Sequence, residues 1–145
     1  MTLESGLPEV VSDDENLARF LFSGRFYKAA RVLSAAFMPN PNDHETSISR
    51  KDAEPAEELW RLAPAAAPGR SLHGAAVFKA RVAREARLEA VADEPPPRHA
   101  VIRGWFWDEA DPDLQRARQK EAAQVIASGS EFIPFPMSVS DLHFT

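Results

Sequence analysis

The sequence predicts a single small α+β domain in which helices flank a small mixed sheet. Its 145 residues match the common size of one domain. Segments with helical and strand spacing alternate along the chain without a regular strand–helix–strand repeat, which favours an α+β architecture. Residues 99–107 carry the strongest strand pattern and are apolar on both faces, so this strand is expected to lie centrally in the sheet.

The composition of the chain excludes several kinds of functional site and a membrane-spanning helix. The chain has no cysteine, which excludes disulfides, thiolate nucleophiles and cysteine-ligated metal centres. No apolar run approaches the length of about 20 residues that a membrane-spanning helix needs, so no membrane partner is expected. The acidic start of the chain lacks the basic and apolar regions of a signal peptide, and a cytoplasmic location is therefore expected.

The chain is expected to divide into three parts. Residues 1–12 are predicted to be a flexible acidic N-terminus. Residues 13–130 hold the predicted helices and strands and form the single α+β domain. Residues 131–145 form an apolar tail that prolines interrupt.

The first predicted element is a helix that follows a capping box. Residues 12–15, Ser-Asp-Asp-Glu, match this motif, and apolar side chains follow at helical spacing as far as Leu21. Gly24 is placed to end the helix. Residues 25–38 fit a helical stripe and also fit a strand, and this reasoning leaves both open.

The middle of the chain is predicted to be irregular, with short elements. Turn-forming residues make 39–43 a loop, and β-formers predict a strand over 46–50. Residues 54–62 are predicted to be a short helix with a proline near its start. Residues 64–69 are a linker by composition.

The second half of the chain is predicted to add two helices and two strands. Ser71 can cap a helix that runs to about residue 86, and residues 88–91 are predicted to be a strand. The strand at 99–107 comes next. A last helix is predicted to begin at Asp111 as N-cap and to end at Gly129.

Several short motifs also stand in a fixed order along most of the chain. They are Leu-Ala-Arg-Phe-Leu-Phe at 17–22, Ala-Ala-Phe-Met-Pro at 35–39, Glu-Thr-Ser-Ile-Ser-Arg at 45–50, Glu-Leu-Trp at 58–60, Gly-Arg-Ser-Leu-His-Gly at 69–74 and Pro-Pro-Pro-Arg-His-Ala-Val-Ile-Arg-Gly-Trp at 95–105. This order resembles small uncharacterised bacterial proteins. The resemblance implies a bacterial cytosolic setting and favours a strand over 32–38, and it carries over no catalytic residue.

Charge is segregated along the chain, whose net charge is −5. Residues 1–18 hold five acids and no base, whereas residues 19–38 hold four bases and no acid. The basic segment 19–31 also contains aromatic side chains, which predicts a site for an anionic ligand or partner. Nucleic acid is a possible partner but is not favoured, because phosphate binding needs a strong positive field.

Five side chains are candidate binding residues: Arg25, Arg50, Arg98, Arg103 and Trp105. Arg50 ends a predicted strand beside Thr46 and is placed to grip a phosphate or carboxylate; the alternative is a solvated arginine paired with a nearby acid. Arg103 follows Ile102 in a buried strand, so we expect either a carboxylate partner or an open cleft beside it. Trp105 offers a stacking plane, or else belongs to the core.

His44 and His99 are the candidate catalytic residues, because an imidazole can transfer protons near neutral pH. Neither stands in a zinc-binding spacing, and the sequence predicts no metal site and no cofactor. The chain also lacks three common enzymatic motifs: the P-loop, the dinucleotide-binding glycine motif and the nucleophile elbow.

Two functional hypotheses result. The first is a small interaction protein without catalysis of its own, which binds an anionic ligand or partner through the basic segment or a protein through the apolar tail side chains Phe132, Ile133, Phe135 and Met137. The second is an enzyme or sensor that acts on a nucleotide or RNA phosphate. It requires Arg50, Arg103 and either His99 or His44 to converge in one pocket. The tail is expected to be an edge strand or a groove-filling segment.

Overall fold

A computed structural model describes residues 3–51, 59–63 and 71–135. The strands are β1 (Asn16–Leu21), β2 (Tyr27–Lys28), β3 (Arg31–Val32), β4 (Thr46–Arg50), β5 (Gly74–Lys79), β6 (Glu89–Ala92), β7 (His99–Arg103) and β8 (Glu131–Pro134). The helices are α1, which comprises the helical residues 59–63, α2 (Ala80–Glu85) and α3 (Pro112–Ser128). Two short 3-10 helices span Gly24–Phe26 and Ser34–Phe37.

The strands form one six-stranded sheet and one small hairpin. The sheet order is β6-β7-β4-β1-β5-β8, and β2 pairs only with β3. Each of the five pairings in the six-stranded sheet is antiparallel. The predicted α+β class is confirmed, and within the described part of the chain no helix is both long and apolar enough to cross a membrane.

The larger core covers one face of the sheet. Leu17 and Leu21 of β1 and Ile102 of β7 are fully buried on this face, together with Phe37 from the second 3-10 helix and Ile126 from α3. Alternate residues of an antiparallel strand share a face, so this set is fixed by the pairing register. The helix α3 therefore lies against this face of the sheet.

A smaller core covers part of the opposite face. Ala18 and Phe20 of β1 and Ala75 of β5 are buried here against Leu59 and Ala63 of α1. Strands β1 and β5 are consequently apolar on both sides. This burial explains why their sequences do not show a simple alternation of apolar and polar residues.

The predicted first helix is wrong, because residues 16–21 form strand β1. Apolar side chains on both faces of β1 give Leu17, Phe20 and Leu21 a spacing that resembles one face of a helix. The capping box fails for a related reason: the Glu15 side chain bonds to Arg50 on a neighbouring strand instead of a helix N-terminus. Gly24 begins a 3-10 helix and does not end an α-helix.

The predicted helix over 71–86 is also partly wrong. Gly74–Lys79 is strand β5, and the helix begins only at Ala80. The spacing of Ala75 and Phe78 fits one face of a helix, but the strand buries these side chains on opposite faces of the sheet. The predicted strand over 88–91 is confirmed within one residue by β6.

Residues 25–38 form neither a long helix nor one strand. They contain the end of the first 3-10 helix, the hairpin β2–β3 and the second 3-10 helix. Ala29 and Ala30 at the hairpin tip both have positive φ, at 50° and 64°. A two-residue turn with both φ angles positive is the type that Asn-Gly or Gly-Gly usually forms.

Three other predictions are confirmed by the element bounds. The strand over 46–50 is β4, and α3 begins after Asp111, whose carboxylate accepts a hydrogen bond from the Leu114 N–H at 3.1 Å. Gly129 ends α3. The strand predicted at 99–107 is shorter in the structure, because Gly104, with a φ of 96°, ends β7 after Arg103. In the sheet, β7 lies next to the edge strand β6.

The first part of the tail docks on the domain as the edge strand β8. It pairs with β5 over Glu131–Pro134, and its approach is close: a Cβ on Gly74 would lie 2.5 Å from the Ile133 carbonyl oxygen. Phe132 packs against the larger core. The predicted edge strand is confirmed here, whereas Met137 lies outside the described residues.

The acidic segment that precedes β1 lies across the domain. Residues 3–15, which we call the N-terminal strap, make side-chain and backbone contacts with β4, α2 and the loop after β6. The backbone N–H of Ala80 donates to Glu15 and that of Arg81 to Asp13. The sequence predicts flexibility for residues 1–12, whereas Ser5, Pro8 and Val11 of this segment form hydrogen bonds with the domain.

Candidate functional site

Arg50 is completely buried and is held by an ion pair with Glu15. Its Nη2 donates to Glu15 Oε1 at 2.7 Å and its Nε donates to Glu15 Oε2 at 2.5 Å. Its Nη1 donates to the Pro8 carbonyl at 2.6 Å. The guanidinium fork is therefore occupied by protein groups, and Arg50 fixes the strap to the sheet instead of facing a ligand.

A second contact fixes the strap near the loop after β6. The Ser5 hydroxyl and backbone N–H both donate to the Glu94 carboxylate, at 2.5 Å and 3.1 Å, and the Arg98 N–H donates to it at 3.2 Å. Burial would raise the pKa of Glu94, but these hydrogen bonds and the charge of Arg50 lower it more. The ionised carboxylate is thus the form that the folded chain stabilises.

Arg84 of α2 joins the strap to β6. It donates to Asp13 at 2.6 Å, to Glu89 at 2.7 Å and to the Val11 carbonyl at 2.6 Å. Burial would lower the pKa of Arg84, and the hydrogen bonds to Asp13 and Glu89 raise it overall. The hydrogen bond from Arg84 likewise lowers the pKa of Glu89, against the opposing effect of burial.

The arginine and histidine candidates do not converge. Arg50 shares the face of Leu17, its cross-strand partner, whereas His99 pairs with Ser49 on the other face. Arg103 follows His99 by four residues and so lies on the same face as His99, at the far end of β7. The hypothesis of one phosphate pocket formed by Arg50, Arg103 and His99 therefore has no geometric basis in this arrangement.

Arg103 itself is exposed, which corrects the expectation that it is enclosed. It ends β7, where Gly104 turns the chain, and within the described residues it has no ion pair. The flanking Ile102 and Trp105 are buried, but the strand ends between them and its last side chain reaches solvent. The prediction treated residues 99–107 as one buried strand and therefore misplaced this side chain.

The remaining candidates have structural contacts. Trp105 is buried, and its indole N–H donates to the Ile102 carbonyl at 3.2 Å. Arg98 donates through Nε to the Arg50 carbonyl at 3.0 Å. His99 is half-buried with its Nδ1 at 2.9 Å from the Asp93 carbonyl oxygen, and exposed His44 stacks on Trp107 at a centroid distance of 3.6 Å.

The basic segment 19–31 divides into two parts. Arg19 lies in β1 and donates to the carbonyls of Ala36 at 3.0 Å and Ser47 at 2.9 Å, so its charge serves the fold. Arg25, Lys28 and Arg31 lie in and beside the hairpin and are exposed. Only this second part is available to a ligand.

One concave surface of the described chain is a groove beside α3. Its volume is about 460 Å³, and it lies between the end of α2, the segment after β7 and the exposed side of α3. We call it the α3 groove. It is lined by Glu85, Ala86, Arg87, Leu88, Gly104, Phe106, Arg118, Glu121, Ala122 and Val125.

Hydrogen bonds hold the walls of the α3 groove in place. Gln119 Nε2 donates to the Phe106 carbonyl at 2.8 Å, and Gln115 accepts from the Asp108 N–H at 2.7 Å. Gln119 is buried, so the segment after β7 is tied to α3 from below. On the other wall, the Leu88 N–H donates to the Ala83 carbonyl at 3.0 Å, which fixes the exit from α2.

The α3 groove has an apolar interior and a rim with both charges. Phe106 is 40% exposed and Val125 is 42% exposed, although each is large and apolar. Arg87 and Arg118 stand on the rim with Glu85 and Glu121, and the Arg118 guanidinium lies 5.9 Å from the Phe106 ring centroid. Such a surface can receive apolar side chains and can pair with charges of either sign.

The backbone conformation of Arg87 is unusual for a residue other than glycine. It follows α2 with a φ of 64°, in the left-handed conformation that glycine usually supplies just beyond a helix C-terminus. A glycine would relieve the strain of this position, so the fold alone does not require an arginine. The arginine nevertheless places a cation on the rim of the α3 groove.

The sequence reasoning missed the groove residues and the partner of Arg50. Two signals were present: Val125 is apolar but lies outside the buried α3 stripe of Gln119, Ala123, Ile126 and Ala127. Arg87 also stands immediately after a helix end, where a glycine is expected. Glu15 could not be paired with Arg50 from the sequence, because they are 35 residues apart and lie in segments assigned to different elements.

The described residues contain no group of three or more His, Asp or Glu side chains placed to hold a metal ion. Every buried side-chain nitrogen and oxygen in the described part of the chain has a hydrogen-bond partner. Comparisons of the chain with protein-family models, with curated proteins and with solved structures find no match.

Proposed function

We propose that this chain is a bacterial cytosolic interaction protein without catalysis of its own, and that it binds a polypeptide segment of a partner in the α3 groove. The observation that carries the proposal is the combination of an apolar interior with a rim of mixed charge. The bacterial and cytosolic parts rest on the resemblance in motif order and on the sequence composition.

Large apolar side chains are exposed in the concave surface of the α3 groove. Phe106 and Val125 lose contact with water when a partner side chain enters the groove, and burial of apolar area is the main favourable term in association. The volume of about 460 Å³ falls in the range of binding pockets. It accommodates a few side chains of a short segment.

The positive and negative charges on the rim of the α3 groove are balanced. Two arginines and two glutamates line the α3 groove, so a polyanion such as nucleic acid meets repulsion as well as attraction there. A polypeptide segment with apolar side chains between charges of both signs fits this rim. Arg87 supports the same conclusion, because an arginine occupies a backbone position that favours glycine.

Selection from a phage-displayed peptide library tests the proposal. The wild-type protein is expected to enrich peptides with apolar residues flanked by charges, and Val125→Asp is expected to abolish this enrichment because a carboxylate enters the apolar interior. The matched control is Leu114→Asp, since Leu114 is 38% exposed on the same helix but does not line the groove. This control is expected to enrich the same peptides as wild type.

Two results would contradict the proposal. One is equal enrichment by Val125→Asp and wild type, which places any binding outside the α3 groove. The other is failure of the wild-type protein to enrich any peptide while a small-molecule fragment screen finds ligands for the groove, which indicates a small-molecule site instead. Circular dichroism spectra that match wild type establish that each variant is folded.

A further inference from the structure

The hairpin β2–β3 carries two cations, Lys28 and Arg31, and no acid, and Arg25 lies just before it in the first 3-10 helix. Arg25, Lys28 and Arg31 are all exposed, and within the described residues none of them forms an ion pair. The longer segment that contains the hairpin, residues 19–38, holds no acidic residue. The hairpin therefore carries a local positive potential although the chain as a whole has a net charge of −5.

Two features of the hairpin tip work against its own stability. Lys28 and Arg31 are directly paired across the two strands, and like charges in this position repel each other. The turn between them places Ala29 and Ala30 in the left-handed region, which is unfavourable for residues that carry a Cβ. An anion bound between Lys28 and Arg31 would turn the repulsion into attraction.

The base of the hairpin is firmly attached, so the cations are held on a fixed support. Tyr27 stacks on Phe132 at a centroid distance of 4.5 Å, and its hydroxyl lies 2.8 Å from His73 Nδ1. Val32 is buried in the larger core, and the Leu33 N–H donates to the Phe26 carbonyl at 2.9 Å. Binding at the tip then costs little ordering of the backbone.

We propose that this cationic hairpin is a second docking surface, and that it receives an acidic polypeptide segment. Nucleic acid fits less well, because single strands gain affinity from aromatic stacking and the aromatic rings here are already engaged: Tyr27 stacks on Phe132 and Phe26 packs against the core. Lys28 and Arg31 on the hairpin, together with Arg25 in the 3-10 helix that precedes it, match a few carboxylates. Arginine side chains bind carboxylates through two parallel hydrogen bonds.

Fluorescence anisotropy with labelled hexaglutamate tests the inference. The wild-type protein is expected to bind this probe at about 20 mM salt and to bind it much more weakly at about 300 mM, because screening shortens the reach of exposed charges. The variant Lys28→Gln/Arg31→Gln is expected to weaken binding about tenfold, since two of the three cations are lost. The α3 groove is not altered by this change.

The matched control neutralises two other exposed cations. Arg116→Gln/Lys120→Gln removes the same charge from neighbouring positions on α3 that do not line the groove, and it is expected to leave hexaglutamate binding within about twofold of wild type. Ala29→Asn/Ala30→Gly, which changes the turn and keeps the cations, is expected to retain binding as well. This variant separates the role of the charges from that of the turn.

Three outcomes overturn the inference. Equal weakening by the α3 control shows a net-charge effect without a site. Binding of hexaadenylate RNA at the hairpin as tight as that of hexaglutamate identifies a nucleic-acid surface instead. Failure of the wild-type protein to bind hexaglutamate at low salt leaves the hairpin as a solvated turn.

Discussion

The N-terminal strap and the hairpin β2–β3 are both charged segments, and the structure uses their charges in opposite ways. In the strap, Glu15 is buried against Arg50, and Asp13 is bonded to Arg84. In the hairpin, Lys28 and Arg31 face each other and are exposed. The comparison teaches that strap charges stabilise the fold, whereas hairpin charges are available for a partner.

The largest effect is expected when one partner of the buried ion pair is removed. Arg50→Met leaves the Glu15 carboxylate buried without its cation, which costs about 3–5 kcal/mol of unfolding free energy. Urea denaturation followed by circular dichroism measures the loss.

The double variant Glu15→Leu/Arg50→Met sharpens this result. Replacement of a buried ion pair by apolar side chains is often neutral or stabilising, so the double variant is expected to be more stable than Arg50→Met alone. If the double variant is the less stable of the two, the cost in Arg50→Met does not come from the unpaired carboxylate.

A smaller loss of stability is expected when Arg84 is replaced, because its ion pairs with Asp13 and Glu89 are only partly buried. Arg84→Met removes its contacts with Asp13, Glu89 and the Val11 carbonyl. Because the two carboxylates are 68% and 51% exposed, solvent screens the pairs, and we expect a loss of about 1 kcal/mol. The same urea titration measures it, and a loss as large as that of Arg50→Met would show that exposure does not decide the contribution of a strap charge.

Acid is expected to weaken the strap contacts. The folded-state pKa values of Glu89 and Glu94 lie below their ordinary value of 4.5, so their contribution is present above that value and is lost as the pH falls through the folded-state pKa. Glu94→Gln is expected to reduce the fall in stability on the acidic side of pH 4.5. Unfolding free energies measured across this range check the sign, and an unchanged pH profile would contradict it.

The smallest effect is a gain of stability in the hairpin. Ala29→Asn/Ala30→Gly introduces residues that adopt the left-handed turn more easily, and the unfolding free energy is expected to rise by about 1 kcal/mol. Thermal and urea unfolding measure this gain. A decrease would show that the alanines make contacts at the tip that outweigh the backbone strain.

The parts of the fold with local signals could be predicted from the sequence. The strand β4 is rich in β-formers, and α3 begins at an aspartate and ends at a glycine, so short-range chemistry fixes their bounds. The strands β1 and β5 could not be recognised because both of their faces are buried. Their apolar spacing then fits a helix as well as a strand.

The candidate site was less predictable than the fold, because the residues that form its contacts are far apart in the sequence. Arg50 was predicted to grip a ligand anion or to pair in solvent with a nearby acid, but its partner is a buried carboxylate 35 residues away. The α3 groove joins residues 85–88, 104–106 and 118–125, and only the tertiary packing brings them together. The cationic segment could be predicted from the sequence because its charged residues are close together in the chain.

The most direct test of the central comparison measures two charge removals side by side. Arg50→Met and Lys28→Gln/Arg31→Gln are unfolded in urea under the same conditions, with wild type as reference. We predict a loss of about 3–5 kcal/mol for Arg50→Met. For the hairpin variant we predict an unchanged or slightly higher stability, within about 0.5 kcal/mol, because a like-charge pair is removed. A hairpin variant as unstable as Arg50→Met would contradict the account, as would an Arg50→Met protein as stable as wild type.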